Sequence, residues 1–100
     1  MTAIELSARA AKEVGDLDKA TRKRIRASLE QLRDSHENLD IQALSGRAPW
    51  RRLRVGDYRV LFRPMTSAEA AGRDDIRGYL VARIVNRREL HRAVTSLPDP

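Results

Sequence analysis

Between Trp50 and Arg63 the chain reads WRRLRVGDYRVLFR, and its apolar residues alternate on either side of Gly56-Asp57. Two short strands joined by a two-residue turn of the type II′ kind account for that alternation. Pairing about the turn sets Val55 opposite Tyr58, Leu53 opposite Val60 and Arg51 opposite Phe62, all on one side of a sheet. The other side then carries Arg54 opposite Arg59, Arg52 opposite Leu61 and Trp50 opposite Arg63. Upstream, residues 3–6 alternate as a short strand. Ser7 is the N-cap expected for a helix with Ala10, Ala11, Val14 and Leu17 on one face, kept short by Gly15. Asp18 caps a second helix running to about His36, with Ile25, Leu29 and Leu32 at i, i+4 and i+7. So short a break between them predicts a helical hairpin.

Residues 37–49 read as a connector and 65–76 as a polar loop. Residues 77–85, apolar on both faces, predict a central strand in which Leu80, Ala82 and Ile84 face the core and Arg83 joins the arginine side. Asn86 and Glu89 form a capping-box-like pair ahead of a last helix, which carries Leu90, Ala93, Val94 and Leu97 on one face and stops at Pro98. The order is strand, two helices, three strands, helix. It predicts a single α+β domain over residues 1–100: a short N-terminal strand, a helical hairpin, a mainly antiparallel twisted sheet and a C-terminal helix.

Composition alters this picture mainly through charge. The formal net charge is +6, and 17 arginines stand against three lysines. Residues 47–63 hold six arginines against Asp57 alone, and residues 83–92 hold four against Glu89. Positive charge concentrated in two segments points to a polyanionic partner. Absence of cysteine excludes disulfides, thiolate nucleophiles and cysteine-bound zinc. No apolar run reaches the roughly 18 residues of a membrane span, nor does the N-terminus resemble a signal peptide, so a cytoplasmic protein is expected.

Like charges facing one another across a strand pair destabilise it by roughly 0.2–1 kcal/mol. Four arginines around one tryptophan and one leucine are therefore an odd solvent face, and a bound phosphate chain would relieve the repulsion. No metal-ligand or nucleophile motif accompanies them, and the only histidines are His36 and His91. Metal-free RNA cleavage fits such a site, because the substrate's own 2′-hydroxyl is the nucleophile. The protein has only to orient the strand, stabilise the phosphate oxygens and move two protons. His91, one helical turn beyond Arg87, is the candidate for proton transfer, with a half-exposed helix residue as its alternative reading. Trp50 either packs under the connector or stacks on a base. Arg47, Trp50, Arg63, Arg83 and Arg88 are read as RNA contacts, while Arg22 to Arg33 read as solvated helix surface, with contact to a partner as their alternative reading.

Leu44-Ser45-Gly46, WRRLRVGDYRVLF and VARIVNRREL together resemble the RelE/ParE superfamily of bacterial toxin–antitoxin systems, and the resemblance spans nearly the whole chain. It implies a RelE-like fold and, in the RelE branch, a metal- and cofactor-free ribonuclease that cuts mRNA at the ribosome. Carried over by position, it makes Arg59 a phosphate-stabilising residue, sets Arg52 and Arg54 near the branch's basic residues on the preceding strand, and matches Arg87 to a basic residue at the start of the last helix. His91 falls where many members have tyrosine, Asn86 where histidine is common, and Phe62 replaces an aromatic hydroxyl. The resemblance also implies a cognate acidic antitoxin and a toxin–antitoxin hetero-oligomer. Two other functions share the sequence features: a ParE-type poison of DNA gyrase, and a non-catalytic basic nucleic-acid-binding module.

Overall fold

The computed structural model describes residues 2–35, 37–69 and 77–98. His36, and residues 70–76 of the expected loop, lie outside them. In chain order the elements are β1 (Thr2–Leu6), α1 (Ala8–Gly15), α2 (Lys19–Asp34), β2 (Asp40–Ala43), β3 (Arg51–Val55), β4 (Tyr58–Pro64), β5 (Arg77–Asn86), a 3-10 turn (Arg87–Glu89) and α3 (Leu90–Thr95). The five strands form one sheet in the order β1-β5-β4-β3-β2. β1 runs parallel to β5 and the remaining pairs are antiparallel. The α+β class, the helical hairpin and the terminal helix are as the sequence predicts. The expected connector differs, because it contains β2, a four-residue strand that pairs with β3.

Both helix starts follow from their caps. Ser7 Oγ accepts from Ala10 N at 3.1 Å, and Asp18 accepts from the Thr21 backbone N at 3.0 Å. Each satisfies an amide that the first helical turn leaves without a partner. Gly56 at φ +59°, with Asp57 outside the positive-φ region, gives the type II′ pattern. The register is the predicted one, from Val55 opposite Tyr58 to Arg51 opposite Phe62.

The main core lies between the helical hairpin and one face of the sheet. Ile25, Leu29 and Leu32 of α2 and Ala10 and Val14 of α1 meet Leu53, Val60 and Phe62. Burying a side chain of this size stabilises the fold by about 1.5–3 kcal/mol. The strand β5 departs from simple alternation. Leu61 lies opposite Arg83 but Phe62 lies opposite Val81, so Ala82 is an extra residue. A bulge exchanges the faces on either side of itself. Val81 and Tyr79 consequently pack on the main core beside Ile84, while Ala82 joins the opposite side. The expected inward placement of Leu80, Ala82 and Ile84 therefore holds for Ile84 but not for Ala82.

Beyond Leu6, no strand among the described residues neighbours β5 on that edge, and Ser7 and α1 supply its partners instead. Ser7 N donates to Val81 O at 2.9 Å, Ser7 Oγ donates to Ala82 O at 2.9 Å, and Glu13 Oε1 accepts from Ile84 N at 3.0 Å. Covering an edge in this way blocks pairing with a foreign strand.

Candidate nucleic-acid interface

The outer face of the sheet, away from the helical hairpin, is divided in two. One part is closed by α3. Ala93 and Leu97, with half-buried Leu90 and Val94, pack on Trp50, Leu61 and Val85 to make a second, smaller core. The loop from Leu44 to Trp50 folds under it through turns in which Arg47 N donates to Leu44 O at 3.1 Å and Trp50 N to Arg47 O at 2.9 Å. Gly46, at φ +68°, provides the left-handed residue the first of these turns needs.

That second core takes up several of the expected RNA contacts. Trp50 is only 1% exposed and donates its indole N–H to Pro98 O at 3.2 Å. Packing, not base stacking, is its role in the fold. Arg47 donates to Val94 O at 3.1 Å and Leu97 O at 2.6 Å, satisfying carbonyls at the end of α3. Arg63 stacks over the Trp50 ring with 5.3 Å to its centroid and forms a bidentate pair with Glu69 at 2.6 and 3.0 Å. This pairing holds the Glu69 carboxyl down to about 2, the Arg63 hydrogen bond being the largest cause.

Arg83 is a correction. Placed by sequence on the basic surface, it is 8% exposed. Its Nε and Nη2 grip Glu13 at 2.9–3.1 Å, and its Nη1 donates to Ser96 Oγ at 2.7 Å. Burial would penalise a lone guanidinium, and the carboxylate from α1 makes it possible. The result is a clamp that ties α1 to the end of α3 across β5.

The open part of the outer face lies toward the hairpin turn. Across neighbouring strands, one row runs Gln42, Arg52, Leu61, Arg83 and the next runs Asp40, Arg54, Arg59, Val85. Arg52 donates to Gln42 Oε1 at 2.6 Å, while its enclosed Nη1 finds no acceptor among the described residues. Arg59 bends back over the turn, donating from Nη1 to the carbonyls of Gly56 and Tyr58, each at 2.9 Å. Arg87 N donates to Asp57 O at 2.7 Å, which pins the end of β5 to the same turn. Its side chain stands 3.8 Å from Asp57, a contact so exposed that it contributes little.

Electrostatics show that these residues form a group. Desolvation lowers the Arg59 pKa first, followed by repulsion from Arg54, Arg52 and Arg87 in that order, with Asp40 opposing. Arg59 nevertheless stays charged at any physiological pH. A concentrated positive field with planar donors suits a phosphate group. Arg88 and His91 are exposed just beyond, on the 3-10 turn and α3, and no hydrogen bond joins His91 to the cluster. Sequence reasoning missed Asp40 and Gln42, whose signal was the alternation of Asp40-Ile41-Gln42-Ala43 beside β3. Among the described residues no group of three histidine or acidic side chains could hold a metal ion.

A family model described as the ParE toxin of the type II toxin-antitoxin system, parDE, matches residues 4–91. The chain belongs to this ParE toxin family. The toxin is also similar in fold to a chain of the RelB–RelE antitoxin–toxin complex from Methanococcus jannaschii. That likeness has a TM-score of 0.66 and 20% identity, covering 89% of the toxin and 96% of that chain. A chain of the archaeal RelE–RelB complex from Pyrococcus horikoshii OT3 matches with TM-score 0.63 and 20% identity, covering 86% and 94%. At such identity the likeness establishes the RelE-like fold. No curated protein sequence matches the toxin. None of its described helices is long and apolar enough to cross a membrane.

Proposed function

We propose that this toxin is a metal-independent endoribonuclease that cuts mRNA at the ribosome and so inhibits translation. The observation that carries the reading is the cluster of Arg52, Arg54, Arg59 and Arg87 around the hairpin turn, where burial first, and then repulsion from the other three, lowers the Arg59 pKa. In the proposed reaction the 2′-oxygen of one nucleotide attacks its own 3′-phosphate, and the bond from phosphorus to the next 5′-oxygen breaks. The products are a 2′,3′-cyclic phosphate and a 5′-hydroxyl. Arg59 neutralises the phosphate oxygens as charge builds on them, while Arg52 and Arg54 orient the strand. Arg87 and Arg88 hold the flanking backbone. One proton leaves the 2′-hydroxyl and one reaches the 5′-oxygen, and His91 is assigned one of these transfers.

The fold neighbours come from antitoxin–toxin complexes. An acidic antitoxin that covers the same arginines, in a hetero-oligomer, is accordingly the proposed partner. One finding favours a second reading: the matching family model is described for ParE, and a ParE-type toxin poisons DNA gyrase without cutting RNA. The antitoxin-free toxin should therefore be assayed for ribosome-dependent mRNA cleavage in EDTA and for inhibition of gyrase supercoiling in parallel. Cleavage lost in Arg59→Ala, with gyrase unaffected, is the expected result. Gyrase inhibition with intact mRNA would replace this reading by the second.

A further inference from the structure

On the helical side of the β3–β4 turn a cleft of about 360 Å³ opens between α2 and the strand ends, lined by Arg24, Ser28, Gln31, Asn38, Asp40 and Arg54. Arg24 lies so close against the turn that a Cβ on Gly56 would stand 2.8 Å from its Nη1. From the other side, the Gly56 carbonyl accepts from Arg59 at 2.9 Å. A single glycine thus separates the guanidinium of Arg24 from that of Arg59, and Arg54 borders both the cleft and the cluster.

We propose that this cleft is a nucleotide subsite, binding the residue of single-stranded RNA next to the phosphate held by the cluster. The inference rests on the endoribonuclease reading and adds a source of sequence preference to it. Arg24 and Arg54 supply charge for the adjoining phosphate, and a planar guanidinium also offers a surface on which a base stacks. Ser28, Gln31 and Asn38 offer hydroxyl and amide groups able to reach base edges, which are exposed only in unpaired RNA. Asp40, an acceptor when ionised, favours a base carrying an amino group over uracil.

The test is fluorescence anisotropy with oligo-A, oligo-C and oligo-U carrying 2′-O-methyl groups, which prevent cleavage. The parent toxin should prefer A or C over U. Arg24→Ala should weaken binding and flatten the dependence of log K on log salt by about 0.7, the slope for one phosphate contact to a single strand. Asn38→Gly removes the amide while suiting the φ of +64° at that position, and should reduce the base preference. Arg26→Ala, which removes an equal charge from α2 outside the cleft, should leave preference and slope unchanged. If Arg59→Ala weakens binding but Arg24→Ala and Asn38→Gly behave as the parent, the subsite is refuted while the RNA reading stands. If the parent binds none of the oligonucleotides, the subsite is refuted, while the RNA reading stands or falls with the ribosome-dependent cleavage assay.

Discussion

Replacing Glu13 by alanine should destabilise the toxin far more than replacing its partner Arg83 by methionine. The Arg83 side chain is 9% exposed and that of Glu13 is 21% exposed. Glu13→Ala removes the acceptor of the Arg83 Nε and Nη2 bonds and of Ile84 N, leaving Ser96 Oγ as the remaining acceptor for a nearly buried cation. Breaking one side of a buried pair costs about 3–5 kcal/mol. Water entering where the carboxylate was one-fifth exposed places the expectation at the lower end, about 3 kcal/mol. For a domain of this size that lowers Tm by roughly 12–24 °C. Arg83→Met keeps an apolar stem in the packing, and Glu13 still accepts from Ile84 N while its charge turns to solvent. About 1 kcal/mol is expected there, and the double variant should be more stable than Glu13→Ala alone, since the uncompensated cation is gone. Thermal and urea unfolding followed by far-UV circular dichroism measure all three, with RNA binding in parallel. A Tm unchanged in both single variants, with RNA binding reduced by Arg83→Met, would refute the clamp and return Arg83 to the binding surface.

Arg54→Thr should act in opposite directions on stability and function. It removes a like charge directly opposite Arg59, raising stability by about 0.5 kcal/mol at low salt, with the gain shrinking as salt rises. RNA binding should weaken in the same variant, and equal loss of both would contradict the repulsion argument. Glu69 carries a pH signature, because its carboxyl is lowered from 4.5 to about 2. A depressed carboxyl stabilises the fold fully above its ordinary pKa, and that contribution fades as pH falls through the folded value. With the side chain one-third exposed, Glu69→Gln should cost about 1 kcal/mol at pH 7 and little near pH 2. Urea titrations at both pH values check this, and an equal cost at each would disprove the ionic origin.

What the sequence made legible was governed by local chemistry. Ser7 and Asp18 announce helix starts because their side chains satisfy specific amides, and Gly56-Asp57 fixes the hairpin register because only certain residues fit that turn. The β5 bulge leaves no such mark. Ala82 is an ordinary strand residue, and only the pairing of Leu61 with Arg83 and Phe62 with Val81 reveals it. β2 was missed for a related reason, since four residues with a single branched apolar side chain barely differ from a loop. Within the candidate site, Arg52, Arg54 and Arg59 were legible from hairpin parity and charge, and Arg87 from its place at the start of the last helix. The positions of Arg47 and Arg83 were not, because their partners Val94, Leu97 and Glu13 lie 47 to 70 residues away, and that of Arg63 was not, because its partner Glu69 lies in a loop with no periodic pattern.

Trp50 and Leu61 explain the remaining discrepancy. On a face otherwise made of arginine, two large apolar residues are out of place unless something covers them. The helix α3 does so with Ala93 and Leu97, and its apolar stripe was visible in the sequence. Parity arguments assign each strand residue to one of two faces but do not say whether a face meets solvent or a third layer. Once α3 takes the end of the sheet around Trp50, cations there must be neutralised or bonded. Arg47 accordingly meets carbonyls, Arg63 meets Glu69, and Arg83 meets Glu13. Cations at the other end meet neutral acceptors, Arg52 the Gln42 amide and Arg59 the turn carbonyls, and so keep their charge uncompensated. Arg54 and Arg59 keep facing one another beside the turn, with Asp40 only partly offsetting the repulsion. Packing needs therefore account for the arginines under α3, whereas those at the turn stand against the stability of the sheet. It is this second group that an anionic partner would stabilise, which is the reason for proposing the functional site there.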